Sequence, residues 1–166
     1  MEVSLFGSSR LLRLLFLALG VGGCSAGAGG GGSGDVPEPR VRDGIAYRAG
    51  VEVLERYPVQ LHAWVRVENR TDRDADLTFP DGCVVLLEAR REGGREEWVQ
   101  ARQVSCVESV VPVRLEPGEA REYGVQVSAA EILGDSLPAG RYRLMAVVRP
   151  RGVRVEVPAG VVELAN

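Results

Sequence analysis

The chain has 166 residues, a formal net charge of −3 and a sequence pI of about 5.3. This acidic balance excludes the basic surface that attracts nucleic acid, so we expect no nucleic-acid partner. With one histidine and three cysteines, the chain has few nitrogen and sulfur ligands for a metal ion. We predict no metal site and no cofactor.

The first 23 residues have the pattern of a signal peptide. Arg10 and Arg13 supply a positive flank, and residues 14–20 form an apolar core. A core of this length falls within the roughly 7–15 residues of a signal peptide, and it is well short of the roughly 20 that a membrane-spanning helix needs. We therefore predict that residues 1–23 direct export.

The four residues Val21-Gly22-Gly23-Cys24 resemble the lipobox of bacterial lipoproteins. The resemblance implies cleavage before Cys24, a diacylglyceryl thioether on its sulfur and usually a third acyl chain on the new amino group. Two or three chains anchor a protein stably, whereas one chain binds a membrane only marginally. The resemblance thus predicts a lipid-anchored protein of the bacterial cell envelope, in the outer membrane if the cell has one. The alternative is an ordinary secretory leader followed by an incidental cysteine.

A flexible tether is predicted over residues 24–44. Residues 25–34 read SAGAGGGGSG and offer nothing that a core could bury. Glycine- and serine-rich chains are flexible coils. With residues 35–40 (DVPEPR) added, about 16 residues have an r.m.s. reach of roughly 20–25 Å. Residues 45–166 then form one folded domain, a length that is sufficient for a core of its own.

The domain shows the period-2 alternation of β-strands from Val51 onward, and no segment of ten or more residues keeps a helical period. In one strand, Leu61, Ala63, Val65 and Val67 alternate with polar or aromatic residues. Further strands are predicted around residues 77–79, 84–90, 98–100, 111–115, 123–127, 142–148, 153–157 and 161–164, with a short helical turn over residues 129–133. We predict an all-β fold, an immunoglobulin-like antiparallel β-sandwich of about seven to nine strands.

Two cysteines remain once Cys24 carries the lipid. Cys83 and Cys106 form an even pair in an exported, oxidising setting. We predict a disulfide between them, which would close a loop of roughly 24 residues and add on the order of 3 kcal/mol of stability. A metal site is the alternative, but two thiols and the distant His62 are too few for a closed four-ligand site.

Several short motifs together resemble the intracellular proteinase inhibitor (BsuPI-like) domain family. They are Val67-Glu68-Asn69-Arg70-Thr71, Leu77-Thr78-Phe79, Trp98, Leu115-Glu116-Pro117-Gly118-Glu119 with Tyr123, and Leu137-Pro138-Ala139-Gly140-Arg141-Tyr142. The match covers roughly Val51 to Val148. The resemblance implies an immunoglobulin-like sandwich and, for the founding member, inhibition of a serine proteinase. This chain differs from that member in its export leader and its cysteine pair, and no inhibitory residues are carried over.

Two stretches imitate catalytic or metal-binding motifs. Residues 134–137 spell Gly-Asp-Ser-Leu, the nucleophile motif of the GDSL hydrolases. There the serine needs a later aspartate and histidine, but no histidine follows Ser136. Residues 72–76 contain three aspartates at the spacing of an EF-hand loop, without its glycine and glutamate. We expect ordinary loops at both places, and a weak calcium site of a different geometry is the alternative for the acidic turn. We expect no catalytic residues and a protein that is not an enzyme.

The tip of the predicted hairpin at residues 84–100 is the candidate binding loop. It carries Arg90, Arg91 and Arg95 among glutamates, and Trp98 follows. A mixed-charge tip is usually a solvated face that discourages edge-to-edge sheet pairing, and a tryptophan usually anchors the core. The sharper alternative is that these four residues contact a partner protein.

These observations predict a lipid-anchored, non-catalytic cell-envelope protein whose sandwich is a binding or accessory module. It meets the membrane through the lipid on Cys24, and its protein partner is an unknown envelope protein, with a protease as one candidate. The first alternative is an extracytoplasmic proteinase inhibitor. The distant alternative is a hydrolase that uses the GDSL stretch.

Overall fold

The computed structural model describes residues 37–56, 58–95 and 97–165. Contacts divide the chain into two units, Met1–Gly32 and Ser33–Asn166. The predicted leader and Cys24 belong to the first unit and lie outside the described residues, so the signal peptide and the lipid anchor stay predictions. The second unit contains every described residue.

The described residues form ten β-strands and one short α-helix. In chain order they are β1 Arg40–Arg42, β2 Ile45–Arg56, β3 Val59–Asn69, β4 Ala75–Phe79, β5 Val85–Arg91, β6 Glu97–Val99, β7 Val111–Leu115, β8 Ala120–Ser128, α1 Ala129–Leu133, β9 Gly140–Val148 and β10 Val155–Leu164. No helix in this part of the chain is long and apolar enough to cross a membrane.

The strands build two four-stranded sheets and one two-stranded sheet, and every pairing is antiparallel. Their strand orders are β1-β2-β3-β8, β10-β9-β5-β6 and β4-β7. The all-β sandwich is confirmed. The structure has ten strands where about seven to nine were predicted, and the strands predicted at residues 153–157 and 161–164 are parts of one strand, β10. A strand that was not predicted is β1, whose three residues are all exposed. It lies inside the segment for which the sequence predicted a tether, because a strand without buried side chains leaves no alternation to detect.

The core lies between the inner faces of the sheets. In β3, Leu61, Ala63, Val65 and Val67 are each fully buried, as the alternation predicted. The inner face of β2 starts at Ile45, upstream of the position from which alternation was recognised. The sheet that contains β5 and β9 contributes the buried side chains Leu87, Ala89, Tyr142, Leu144, Ala146 and Val148.

The buried side chain of Asn69, at the end of β3, joins two distant parts of the chain. Its Nδ2 donates to the carbonyls of Leu115 at 3.0 Å and of Arg73 at 2.7 Å. Its Oδ1 accepts from the amide of Thr71 at 3.0 Å and from the hydroxyl of Thr71 at 2.7 Å. The V-x-N-x-T motif therefore marks the place where the β3–β4 turn is tied to the end of β7.

The turn between β7 and β8 is tied to the same asparagine through the backbone. The amide of Asn69 donates to the carbonyl of Glu119 at 2.9 Å, and the amide of Gly118 donates to the carbonyl of Asn69 at 2.9 Å. Gly118 has a φ of 77°, a conformation that favours glycine. The Glu119 carboxylate accepts from the Glu116 amide at 2.9 Å and from Arg121 at 3.0 Å. These bonds, that from Glu116 first, lower the pKa of Glu119.

A third motif ends in Tyr142 on β9. Its hydroxyl donates to the carbonyl of Pro138 at 2.7 Å, and the ring is fully buried. This is the arrangement of a tyrosine corner, in which a tyrosine hydroxyl bonds to the backbone a few residues upstream. The motif thus fixes how the chain leaves α1 and enters β9.

We expect Asn69→Ala to lower the free energy of unfolding by about 1–3 kcal/mol, because it removes the buried hydrogen bonds from the Asn69 side chain to the carbonyls of Leu115 and Arg73. Chemical denaturation measures the change. Asp72→Ala is the matched control, since Asp72 lies in the same turn with its side chain 93% exposed, and it should cost less than about 0.5 kcal/mol. Equal losses in the two variants would contradict the role of Asn69.

Candidate functional site

A groove of about 510 Å³ lies along the outer face of the β5–β6 hairpin and the neighbouring strands β9 and β10. We call it the hairpin groove, and the lining residues that matter are Glu88, Arg90, Arg91, Glu92, Arg143 and Met145. The strand register creates it, because Arg90 is paired with Glu97 on one side and with Arg143 on the other. Arg90 and Arg91 of the predicted binding loop therefore do line a groove, whereas Arg95 does not.

Charges of both signs border the hairpin groove and pair with one another. Arg141 and Arg143 share Glu92, at N–O distances of 3.5 and 3.4 Å. Arg90 lies 3.8 Å from Glu97. Exposed ion pairs of this kind contribute roughly 0–1 kcal/mol each. The groove is consequently a mixed polar surface, and not a basic site for a polyanion.

The strongest ion pair beside the groove is formed by Arg154. Its Nη2 lies 2.8 Å from both oxygens of Glu88, and its Nε donates to Glu156 at 2.9 Å. These hydrogen bonds, that to Glu88 first, raise the pKa of Arg154. Glu88 keeps only 14% of its side chain exposed, and both of its carboxylate oxygens already accept from Arg154.

Trp98, the fourth residue of the predicted binding loop, lies in the core. It is 5% exposed and paired with Ala89 across the β5–β6 ladder. Glu97 faces the groove, so the next residue of the strand must face inward. The Trp98 Nε1–H meets no acceptor within the described residues. The assignment of Trp98 to a binding surface was therefore wrong, and its alternative role as a core anchor is correct.

Cys83 and Cys106 form the predicted disulfide, with their Cα atoms 5.4 Å apart. The bond joins the connection between β4 and β5 to the long connection between β6 and β7. Asp81 has a carboxylate oxygen within 4.8 Å of both sulfurs. Sulfurs that are bonded to each other provide no thiolate for a metal ion, so this cluster does not support the metal alternative.

Residues 103–110, which we call the disulfide loop, form an exposed surface that the sequence analysis did not single out. All of them except Cys106 are exposed, and residues 104–110 have no helix, strand or turn. The apolar side chains of Val104, Val107 and Val110 all face solvent. The sequence pattern that could have indicated this surface is a valine at every third position, 104, 107 and 110, on both sides of Cys106.

The residues of the hydrolase-like motif (134–137) and of the EF-hand-like motif (72–76) do not come together in a site. Ser136 is exposed in the loop after α1, and no described side chain donates to or accepts from its hydroxyl. His62 lies on β3, where its ring covers Gly124. In the acidic turn, Arg114 donates to Asp74 at 2.6 Å, and this bond raises the pKa of Arg114. Arg114 thus engages Asp74 and Asp76, and the exposed Asp72 lies 3.6 Å from Arg73.

The family model described as intracellular proteinase inhibitor (BsuPI) matches residues 51–153, more than half of the chain. The chain belongs to this family. The match confirms the predicted resemblance, and it spans Asn69, both disulfide cysteines and Tyr142. No curated protein is similar enough to count as a match.

Solved structures of similar shape have low sequence identity. The ApaA protein from Bordetella pertussis is 15% identical, with 78% of this chain and 96% of that chain covered and a TM-score of 0.42. The β-glucosidase 3B from Thermotoga neapolitana is 14% identical, with 74% of this chain and 16% of the enzyme's chain covered and a TM-score of 0.42. At TM-scores below 0.5, these similarities carry no conclusion about function.

We expect the double variant Cys83→Ser/Cys106→Ser to lose about 3 kcal/mol of stability, because the disulfide restricts the unfolded chain. Denaturation with and without a reductant measures the loss. The reductant should lower the stability of the native protein to that of the variant and leave the variant unchanged. A native protein that is indifferent to reductant would contradict a stabilising disulfide.

Proposed function

We propose that the protein is a proteinase inhibitor of the cell envelope, a binding module that is not an enzyme. The match of the proteinase-inhibitor family model to residues 51–153 carries this proposal. The matched span runs from β2 through β9 and includes the connecting loops that could meet a peptidase. Of the functions that the sequence left open, it favours the inhibitor over an accessory module for an unspecified partner.

The disulfide supports a site of action outside the cytoplasm. Disulfides form and persist in oxidising compartments and are rare in the cytosol, and the Cys83–Cys106 bond is formed. Export by residues 1–23 and a lipid on Cys24 belong to the same proposal. A lipid anchor on Cys24 would keep the inhibitor at the membrane surface, where exported peptidases act on envelope proteins.

Inhibition requires a stable surface that fits a peptidase, and it requires no acid–base machinery. Within the described residues, the two candidate surfaces for this contact are the hairpin groove and the disulfide loop. The described residues leave Ser136 and His62 on separate elements, without a hydrogen bond to the Ser136 hydroxyl. This arrangement favours stoichiometric binding over turnover of a substrate.

The exported protein should inhibit at least one enzyme in a panel of trypsin, chymotrypsin, elastase and subtilisin, with one inhibitor molecule bound per enzyme molecule. Titration of peptidase activity measures both the affinity and the stoichiometry. Bovine serum albumin at the same concentration controls for protein that merely competes as a substrate. Full activity of all four peptidases would contradict the proposed function.

Replacement of the proposed lipid-bearing residue, Cys24→Ser, should move the protein from the membrane fraction to the soluble fraction, because the thioether can no longer form. Fractionation and intact-mass measurement follow the anchor. Ser25→Ala is the matched control and should stay in the membrane fraction with its acyl mass. An unmodified native chain in the cytosol would exclude the proposed anchor.

A further inference from the structure

The disulfide loop exposes three apolar side chains to solvent. Val107 is 73% exposed, Val110 is 61% exposed and Val104 is 40% exposed. Single exposed apolar residues are ordinary, but a contiguous group of them marks an interaction site. The three valines occur within seven residues of one irregular segment.

This loop is also held at both ends and in the middle. At its start, the amides of Gln103 and Val104 donate to the carbonyl of the buried Gln100 at 2.8 and 3.1 Å. At its end, Val111 is paired with Phe79 in the β4–β7 ladder. The segment between these points is therefore exposed without being free at its ends.

The middle of the loop is fixed to the connection between β4 and β5. The Cys83–Cys106 disulfide joins them, and the amide of Gly82 donates to the carbonyl of Val107 at 2.9 Å. Asp81 restrains the connection between β4 and β5, because its carboxylate accepts from the amide of Cys83 at 3.0 Å and from Arg149 at 2.8 Å. A loop that is restrained before binding loses less conformational entropy when it binds.

The backbone of the loop is available to a partner. In the part of the chain that the structure describes, the amides of Ser105, Val107 and Glu108 donate to no backbone carbonyl or side chain of the protein. Exposed backbone groups of an irregular segment can form main-chain hydrogen bonds to another protein, as in β-strand addition. A peptidase cleft receives its substrates in this way, with pockets for successive side chains.

We propose that the disulfide loop enters the substrate cleft of an extracytoplasmic serine peptidase whose primary pocket takes small aliphatic side chains. This inference rests on the proposed inhibitor function and names the segment and the partner class. Valine side chains fit the small pocket of an elastase-type enzyme, and they match neither the acidic pocket of a trypsin-type enzyme nor the larger slot of a chymotrypsin-type one.

The bonds of Val107 explain why the loop would inhibit and not be cut. The carbonyl of Val107 accepts from the amides of Gly82 at 2.9 Å and Ser109 at 2.8 Å. It is therefore turned toward the domain, away from the nucleophile and the oxyanion donors of a bound peptidase. The Val107 side chain can fill a pocket while the peptide bond that follows it stays protected.

The test compares Val107→Asp with Val53→Asp in the full exported protein, with elastase as the probe. Val53 is a matched control, because it is 50% exposed on β2 and lies outside the loop. We expect Val107→Asp to raise the inhibition constant for elastase by at least about 30-fold, as for a hot-spot residue. Val53→Asp should leave it unchanged, and both variants should keep the native melting temperature because both side chains are exposed.

Hydrogen exchange adds a readout that does not depend on mutation. The amides of residues 105–108 should exchange rapidly in the free protein and become protected when elastase binds. The mass of the inhibitor should stay intact throughout, because the Val107 carbonyl is turned away from the nucleophile.

The possible outcomes distinguish the role of the disulfide loop from the inhibitor function. Equal inhibition by Val107→Asp and the native protein would overturn the role of the loop and leave the inhibitor function standing. Inhibition of trypsin alone, lost in Arg90→Ala, would overturn the role of the loop in favour of the hairpin groove. Cleavage within residues 104–110 with loss of inhibition would show the loop to be a substrate. Activity of every peptidase in the panel would refute the inhibitor function and this inference with it.

Discussion

The side chain of Asn69 is the constraint on which the connections of this sandwich depend. It forms five hydrogen bonds at the end of β3, three as donor and two as acceptor. Its backbone adds bonds to the turn between β7 and β8. Buried carbonyls without partners are costly, so the β3–β4 turn, the end of β7 and the start of β8 are held in one arrangement. The V-x-N-x-T and L-x-P-G-E motifs are therefore two halves of one hydrogen-bonded junction.

The exposed disulfide loop is also held in place by contacts to distant parts of the chain, but the contacting residues are different. Gln100 holds its start, the β4–β7 ladder holds its end, and Cys83 and Gly82 hold its middle. An unrestrained irregular segment loses conformational entropy when it becomes ordered on binding, and this loss weakens the binding. Restraint by neighbouring elements reduces the loss. The conformation of the disulfide loop therefore depends on the sandwich that holds its start, middle and end.

The arginines in and beside the hairpin groove show why the number of charges is a weak guide to a site. Arg90, Arg141, Arg143 and Arg154 all have carboxylate partners within 4.0 Å. Paired exposed charges contribute little energy and little net potential. The groove suits a polar peptide surface of mixed sign, whereas the uncharged valines of the disulfide loop provide the apolar contact that interfaces need at their centre.

The sequence by itself determined the local features of this protein. Period-2 alternation was sufficient for the all-β class and for the buried faces of β3 and β9, and an even pair of cysteines was sufficient for the disulfide. Alternation could not show β1, which buries nothing, or decide whether Trp98 faced the core or the groove. It also could not show that the valines around Cys106 are exposed. Those outcomes depend on which strands pair and in which register, and pairing between residues far apart in the chain is decided only by packing in the folded domain.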